Sequence, residues 1–309
     1  MALFDKFLNK PKHYYLMHKD IKVLLGEYNE EKHRFEKITE IFSYDHLPYS
    51  VRKSDGTVSL KRLDHWFRWR GIPDYRVGLN VLLDHLNITD QRDLLDKEYA
   101  LSVSDHYWIR EESERITYKE LNFFERSYDQ DSFGIAMFAS SRFKSPESGL
   151  HTPNNTLCGY QKKAWFQRDG KNVLLKGGTP IYQQEPINEW LASEVAKRLG
   201  IDAVEYHVEI YENQLVSVCD NMLDIDTELI TAEEILSLCR PAKDIFWLSP
   251  YQKTLVEQGI ADAAKKLDDL LVMDFIMTNT DRHNQNLGII RDANTLEWLK
   301  TAPVFDTGT

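Results

Sequence analysis

Long apolar runs are missing from this chain of 309 residues. Nothing approaches the ~18 consecutive apolar residues of a membrane-crossing helix, so no transmembrane span is expected. The N-terminal stretch MALFDKFLNKPKHYY lacks the apolar core and small-residue cleavage site of a secretory signal. Leu3, Phe4, Phe7 and Leu8 are spaced instead as one face of a docking helix. Cysteine is scarce. Cys158, Cys219 and Cys239 stand far apart, fit no zinc spacing and no disulfide framework, and suit a reducing cytoplasm. Positive charge is in deficit: a formal net charge of −11 disfavours an extended nucleic-acid surface, which needs clustered Lys and Arg. Internal repeats and low-complexity tracts are absent.

What is present suffices for a packed core. Hydrophobic residues make up 42% of the chain, and the length suits two domains or lobes of ~150 residues each. In the first half, residues 13–25 pair with 35–42 across the polar stretch 27–33 as an antiparallel hairpin. Residues 44–57 read as loop, 59–69 as a helix ended by Gly71-Ile72-Pro73, and 75–86 as a second helix. A third starts within 89–95. Arg52, Lys53, Lys61, Arg62, Arg68, Arg70 and Arg76 are interleaved with Trp66, Phe67 and Trp69. A surface for nucleic acid or another anionic partner is one reading. Helical spacing accounts for the aromatics as core without a ligand, and that is the expectation. Asp105-His106 among aromatics is likewise expected to be packing rather than acid–base machinery. Residues 144–155, with two prolines and a glycine, mark an exposed boundary between regions 1–150 and 151–309.

Polar chemistry concentrates beyond that boundary. A small polar loop containing Gly159 precedes a strand at 163–167, a turn Arg168-Asp169-Gly170-Lys171 and a strand at 172–176. Such a loop can present backbone N–H groups to phosphate. Lys176 ends the run Val-Leu-Leu-Lys. A lysine on a buried strand needs an anionic ligand or a carboxylate, unless it snorkels at the strand end, and both readings stand. Residues 188–199 form a helix closed by Gly200. Glu189, assigned to its first turn, is the better candidate over Glu194 to pair with the strand lysine, as in kinase-like sites; a solvated helix charge is the alternative. A hairpin at 204–211 and 214–219 leads into Cys219-Asp220-Asn221-Met222, which in a two-lobed ATP enzyme is the adenine-binding hinge. Residues 231–239 and 255–277 read as helices. Last come Asp281-Arg282-His283-Asn284-Gln285-Asn286, strands at 287–291 and 296–299 joined by Asp292-Ala293-Asn294, and Phe305-Asp306-Thr307-Gly308. The hairpin brings Asp281, Asn286 and Asp306 within reach of one another, an arrangement suited to Mg²⁺ and phosphate.

The run NTDRHNQNLGII beginning at Asn279 resembles the Asn-Thr-Asp-x-His-x-x-Asn catalytic loop of the HipA-like serine/threonine kinases, the kinase toxins of bacterial toxin–antitoxin modules. TLCGYQKKAWF beginning at Thr156 is similar to their Ser-x-x-Gly-x-Gln-x-Lys phosphate loop. The resemblance covers the chain from about Thr156 onward and, more loosely, the N-terminal segment. It implies an α+β, two-lobed protein-kinase-like fold: a β-rich N-lobe at 151–221 and the start of a helical C-lobe at 222–309. It implies a cytoplasmic, ATP- and Mg²⁺-dependent kinase acting on a protein Ser or Thr. Asp281 would be the catalytic base, Asn286 and Asp306 the Mg²⁺ ligands, and His283 a brace of the catalytic loop. Lys176 would contact the nucleotide phosphates with Glu189 as its partner. Gly159 and Gln161 would lie in the phosphate loop, Cys219 at the hinge, and Thr156 at the position of inhibitory autophosphorylation. A protein substrate and an antitoxin protein are the implied partners, with DNA contacted only indirectly if at all. Two departures stand out: bulky Tyr160 in the loop, and an end at Thr309 where relatives continue, so that a truncated C-lobe is expected. Two other classes compete. One is a non-catalytic nucleotide- or DNA-associated regulator using the Arg52 to Arg76 patch. The other is a metal-dependent phosphohydrolase with Asp281, His283 and Asp306 as ligands.

Overall fold

A computed structural model describes residues 12–77, 79–86, 88–128, 137–138, 151–179, 182–239 and 247–308. The Leu3/Phe4/Phe7/Leu8 pattern and positions 144–150 of the expected boundary lie outside these residues. Strands β1 (Lys12–His18), β2 (Ile21–Asn29) and β3 (Arg34–Ile41) form an antiparallel meander. The sequence predicts one strand across 13–25, but the chain folds back at Lys19-Asp20. Lys19 takes a left-handed φ of 48°, and the Asp20 carboxylate accepts the Tyr118 N–H at 2.9 Å. Helix α1 (Leu60–Trp69) starts at Ser59, whose hydroxyl accepts the Arg62 N–H. Its Leu63 and Phe67 are fully buried beside Tyr28 and Phe35 of the meander, as the helical spacing predicts, while Trp69 stays exposed.

The arginines of this region are largely consumed inside the molecule. Arg52 donates to Leu47 O, Arg62 to Arg52 O and Ser237 O, Arg68 to Asp64, and Arg70 to Asp105 and Ala100 O. Helix α2 (Leu79–Leu86) begins later than predicted, because Arg76 and Val77 are held by Pro73 O and Tyr160 O. Helix α3 (Arg92–Lys97) follows, then β4 (Tyr107–Glu111), which pairs with β1 to complete the sheet order β3-β2-β1-β4. His106 is buried, facing the Tyr118 hydroxyl and Thr227 O, in keeping with packing. Helix α4 (Tyr118–Leu121) carries a capping box between Thr117 and Glu120.

Residues 153–156 form a buried 3₁₀ turn, which corrects the expectation of an exposed boundary there. The Asn154 side chain accepts the Trp165 N–H at 2.6 Å and donates to its carbonyl at 3.1 Å, imitating a strand partner. Next come β5 (Lys163–Arg168), β6 (Lys171–Gly177), helix α5 (Glu185–Leu199, capped by Gly200), β7 (His207–Tyr211) and β8 (Gln214–Asp220). The strands make an antiparallel sheet of order β5-β6-β8-β7. Phe166, Leu175 and Val218 pack against Ile72, Leu79 and Leu94, so the first half of the chain backs this sheet.

A third sheet, β11-β10-β9, joins β9 (Thr227–Thr231), β10 (Gly288–Asp292) and β11 (Trp298–Thr301). It packs on helices α6 (Ala232–Cys239), α7 (Leu248–Glu257) and α8 (Ala263–Met277). The sequence predicts the β10–β11 hairpin but not β9. It also predicts a single helix over 255–277, whereas the chain breaks after Glu257 and restarts at Ala263. No helix among the described residues is long and apolar enough to cross a membrane.

A buried polar network ties the first sheet to the third. Glu228 on β9 receives both Nε and Nη2 of Arg291 at 2.9 and 2.6 Å and faces His18 Nε2 at 3.1 Å. Arg291 also donates to the Tyr107 hydroxyl. Burial alone would raise the Glu228 carboxyl, but His18 and Arg291 hold it well below the usual carboxylate range. A depressed folded-state pKa contributes stability above the unfolded value and loses it as pH falls through the folded one. Glu228→Gln leaves Arg291 buried without its counter-charge. We expect about 3–5 kcal/mol of destabilisation at neutral pH, read as a lower urea midpoint, with the difference from wild type shrinking at acid pH.

Candidate active site

Three segments converge at one end of the β5–β8 sheet. Lys176 lies on β6, one residue before the strand ends, and is 4% exposed. Its Nζ contacts both Glu189 Oε1 of α5 and Asp306 Oδ1, so burial is accompanied by charge pairing rather than snorkelling. The ring of Tyr206 lies 5.7 Å away. Glu189 is not in the first turn of its helix, as the sequence suggests. α5 starts at Glu185, with Pro186 in its first turn, and Glu189 sits one turn further in, buried at 3% exposure. Its second oxygen accepts the Thr307 N–H at 3.3 Å.

Burial would pull the Lys176 ammonium down, but Asp306 and Glu189 outweigh it and hold it well above its ordinary value. Burial pushes Glu189 up against the opposing pull of Lys176. Asp306 would also rise on burial, yet Lys176 and Lys163 keep it low. The two carboxylates differ in freedom: the Asp306 side chain is 34% exposed and that of Glu189 only 4%.

Asp306 adopts φ of 54°, and Thr278, which ends α8, adopts 55°. Left-handed backbone at a β-branched threonine is rare and costs roughly 1–2 kcal/mol. Both strained residues flank the polar segments, where such conformations concentrate at functional sites. Arg282 holds the arrangement together. It forks onto the Asp274 carboxylate of α8 at 2.8–3.2 Å, donates to Asn286 O at 2.8 Å and Phe305 O at 2.7 Å, and reaches Thr307 Oγ1 at 3.1 Å. All three guanidinium nitrogens are used, and the 281–286 loop is pinned to the segment bearing Asp306. Val304 secures that segment from the other side through Val204 N–H and Asp202 O, both at 2.9 Å. Gly308 permits the docking: a Cβ there would lie 2.8 Å from Glu185 O and 2.9 Å from Glu189 N.

Asp281 is exposed, its N–H bonded to Asn279 Oδ1 at 3.2 Å. Asn286 is buried beneath it in the chain, its N–H on His283 O at 2.9 Å. His283 is exposed, and its Nδ1 accepts the Gln285 N–H at 3.3 Å. The buried brace of the loop is thus Arg282, a residue that sequence reasoning passed over.

The glycine loop has an uneven hydrogen-bond pattern. Carbonyls of Leu157, Gly159, Tyr160 and Lys162 accept from Arg76, Arg76, Val77 N–H and Gly177 N–H respectively. The N–H groups of residues 158–162 bond to no described acceptor. Gly159 has φ of 112°, and a side chain on it would meet the Lys163 ammonium. Burial pushes Lys163 down to about 8, against the attraction of Asp306. Lys163 was missed as a candidate, although it closes the motif that Thr156 opens. Gln161 is half-buried within the loop and Tyr160 is exposed.

Thr156 is buried, donating to Leu101 O at 2.7 Å and Pro153 O at 3.2 Å. Cys219 is buried in β8, and burial pushes its thiol up to about 12. The chain leaves the sheet through Asn221, whose N–H bonds Asn172 O at 2.8 Å and whose side chain bonds Val103 O at 3.0 Å.

Comparison with known proteins identifies a family and a shared fold. The family described as HipA-like C-terminal domain matches residues 155–309. The serine/threonine-protein kinase CtkA of Helicobacter pylori is 25% identical over 142 residues, 41% of each chain. The chain therefore spans about two fifths of the length of that curated relative. Among solved structures, HipA of Shewanella oneidensis MR-1, determined in a complex with HipB and operator DNA, superposes with a TM-score of 0.63 at 13% identity. That superposition covers 96% of this chain and 76% of HipA, and shows a common fold. The crystal structure of CtkA aligns with a TM-score of 0.41 at 21% identity, over 47% of this chain and 54% of CtkA.

Arg282→Lys keeps the charge but loses the fork. At about 1.5–3 kcal/mol per charge-assisted hydrogen bond, the segment around Asp306 should detach in the native state. The Thr307 amide is then expected to exchange at least tenfold faster by hydrogen–deuterium exchange, while core amides of β6 keep their protection.

Proposed function

The chain belongs to the family of the HipA-like C-terminal domain, and on that premise we propose that it is an ATP- and Mg²⁺-dependent serine/threonine protein kinase. The observation that carries the reading is Lys176, buried between Glu189 and the more exposed Asp306. A lysine held by a helix glutamate beside a second, more exposed aspartate resembles the arrangement phosphoryl transfer uses to seat a triphosphate. The open N–H groups at 158–162 supply a second set of donors to phosphate oxygens. The backbone around Cys219 and Asn221 would border the adenine.

The donor set fits Mg²⁺. Asn286 and Asp306 offer hard oxygen ligands, and Mg²⁺ is commonly held by one or two protein groups together with substrate phosphates. Among the described residues, no three His, Cys, Asp or Glu side chains gather as a metal site. That counts against a hydrolase built on Asp281, His283 and Asp306. Bound Mg²⁺ would neutralise charge developing on the transferring phosphoryl group. Asp281, exposed at the mouth of the site, would accept the proton of the substrate hydroxyl. The hydroxyl oxygen then bonds to the γ-phosphorus as the bond to the β–γ bridging oxygen breaks. Lys176 and the loop amides hold the departing diphosphate, and Arg282 keeps Asp281 in register with Asp306.

Inhibitory autophosphorylation at Thr156 is part of the proposal. Its hydroxyl is engaged with Leu101 O, so modification requires residues 153–156 to leave their seat. An antitoxin-type protein partner and a cytoplasmic location are proposed from the family alone.

Incubation with γ-labelled ATP and Mg²⁺ tests the reading. Label should reach a Ser or Thr of the protein itself or of an added substrate, and Asp281→Ala should reduce the rate by about 10²–10⁴-fold. Equal labelling by the variant, or none by wild type, would refute it.

A further inference from the structure

Arg76 belongs to the first half of the chain, between Pro73 and α2, yet its side chain lies under the glycine loop. It is 3% exposed. Its Nε donates to Gly159 O at 3.1 Å and its Nη2 to Leu157 O. Its Nη1 is buried without a partner among the described residues. No carboxylate among the described residues pairs with it; Cys158 and Tyr75 are among its titratable neighbours. This is unusual, because a buried guanidinium is ordinarily matched by an anion. Lys163, the next cation, lies close enough for the two to repel, and it also feels Lys176 and Asp306. Arg76 and Lys176 are thus two cations beside Lys163, with Asp306 the carboxylate that acts on it.

The loop's geometry makes the same point. In a trans peptide the N–H points opposite to the C=O it is bonded to, so holding the carbonyls of Leu157 and Gly159 turns the N–H groups of Cys158 and Tyr160 away from Arg76. Neither of these N–H groups bonds to a described acceptor.

We propose that Arg76 is a positioning residue for the nucleotide's phosphates. It shapes the glycine loop into an anion cradle, and its missing counter-charge is the bound polyphosphate. The proposal rests on the kinase reading for the identity of the ligand, though not for the existence of an anion site. It gives the N-terminal half a part in nucleotide binding: what moves the segment carrying Arg76 also moves the loop.

The test compares full-length wild type, Arg76→Gln and Arg76→Lys by calorimetry with Mg-ATP and with adenosine. Arg76→Gln should weaken Mg-ATP by about tenfold or more and leave adenosine within about twofold, with Arg76→Lys recovering part of the loss. Unchanged Mg-ATP affinity in Arg76→Gln, or parallel losses for both ligands, overturns the proposal. If Arg76→Gln does not fold, the guanidinium nitrogen resonances of Arg76 in wild type decide the matter. They should shift with inorganic pyrophosphate and not with adenosine, and no shift with pyrophosphate overturns it. A wild type that binds pyrophosphate through Arg76 but not Mg-ATP would sink the kinase reading and leave the anion site standing.

Discussion

A lysine on an interior strand must have its charge matched, and most of this molecule's architecture around Lys176 follows from that requirement. Glu189 meets it permanently, from a helix whose position is fixed by small residues: Ala192 and Ala196 of α5 pack on Met273 of α8. Asp306 meets it conditionally, from a segment with left-handed backbone and a partly exposed side chain. The two partners are therefore unequal by construction. One is held by burial and by the Thr307 amide, and the other is partly open to solvent. Removing Lys176 would leave two buried carboxylates without their shared cation, which is far costlier than losing a surface ion pair.

The remaining parts act as supports for this asymmetry. Arg282 is to the 281–286 loop what Arg76 is to the glycine loop: each binds carbonyls of a polar segment. They differ in their own compensation. Arg282 has Asp274, whereas Arg76 has no carboxylate among the described residues. The first half of the chain is tied to both parts of the site. It backs the β5–β8 sheet through Ile72 and Leu79, holds Asn221 through Val103 O, and meets Glu228 and Arg291 of the third sheet through His18 and Tyr107. A region loosely matched by motif is thus strongly coupled by packing and hydrogen bonds.

The sequence carried the local features and missed the tertiary ones. Strands β5 to β8 and α5 were legible because alternation, turn residues and a glycine cap are local signals. β9 was not, since Thr227–Thr231 is short and its Glu228 is polar yet buried, a placement only Arg291 and His18 explain. The turn at Lys19-Asp20 was hidden inside an apolar run and became necessary once Asp20 had Tyr118 to bind. At the site, Lys176, Glu189 and Asp306 were found and are brought together. Arg282 sat unremarked inside the motif, and Arg76 was grouped with neighbouring surface charges. Their roles depend on carbonyls 23 and 81 to 83 residues away in the chain. No spacing rule reports such contacts.

The central claim is that the space around Lys176, Asp306 and residues 158–162 is a triphosphate site. A crystal structure of the full chain with a non-hydrolysable ATP analogue and Mg²⁺ tests it most directly. The account predicts Asp306 turned off Lys176 and onto the metal together with Asn286. Lys176 should stay on Glu189 and reach the phosphates, and the loop amides should point at phosphate oxygens. An analogue bound elsewhere, or absent at saturating concentration with Lys176 still closed on Asp306, would contradict it.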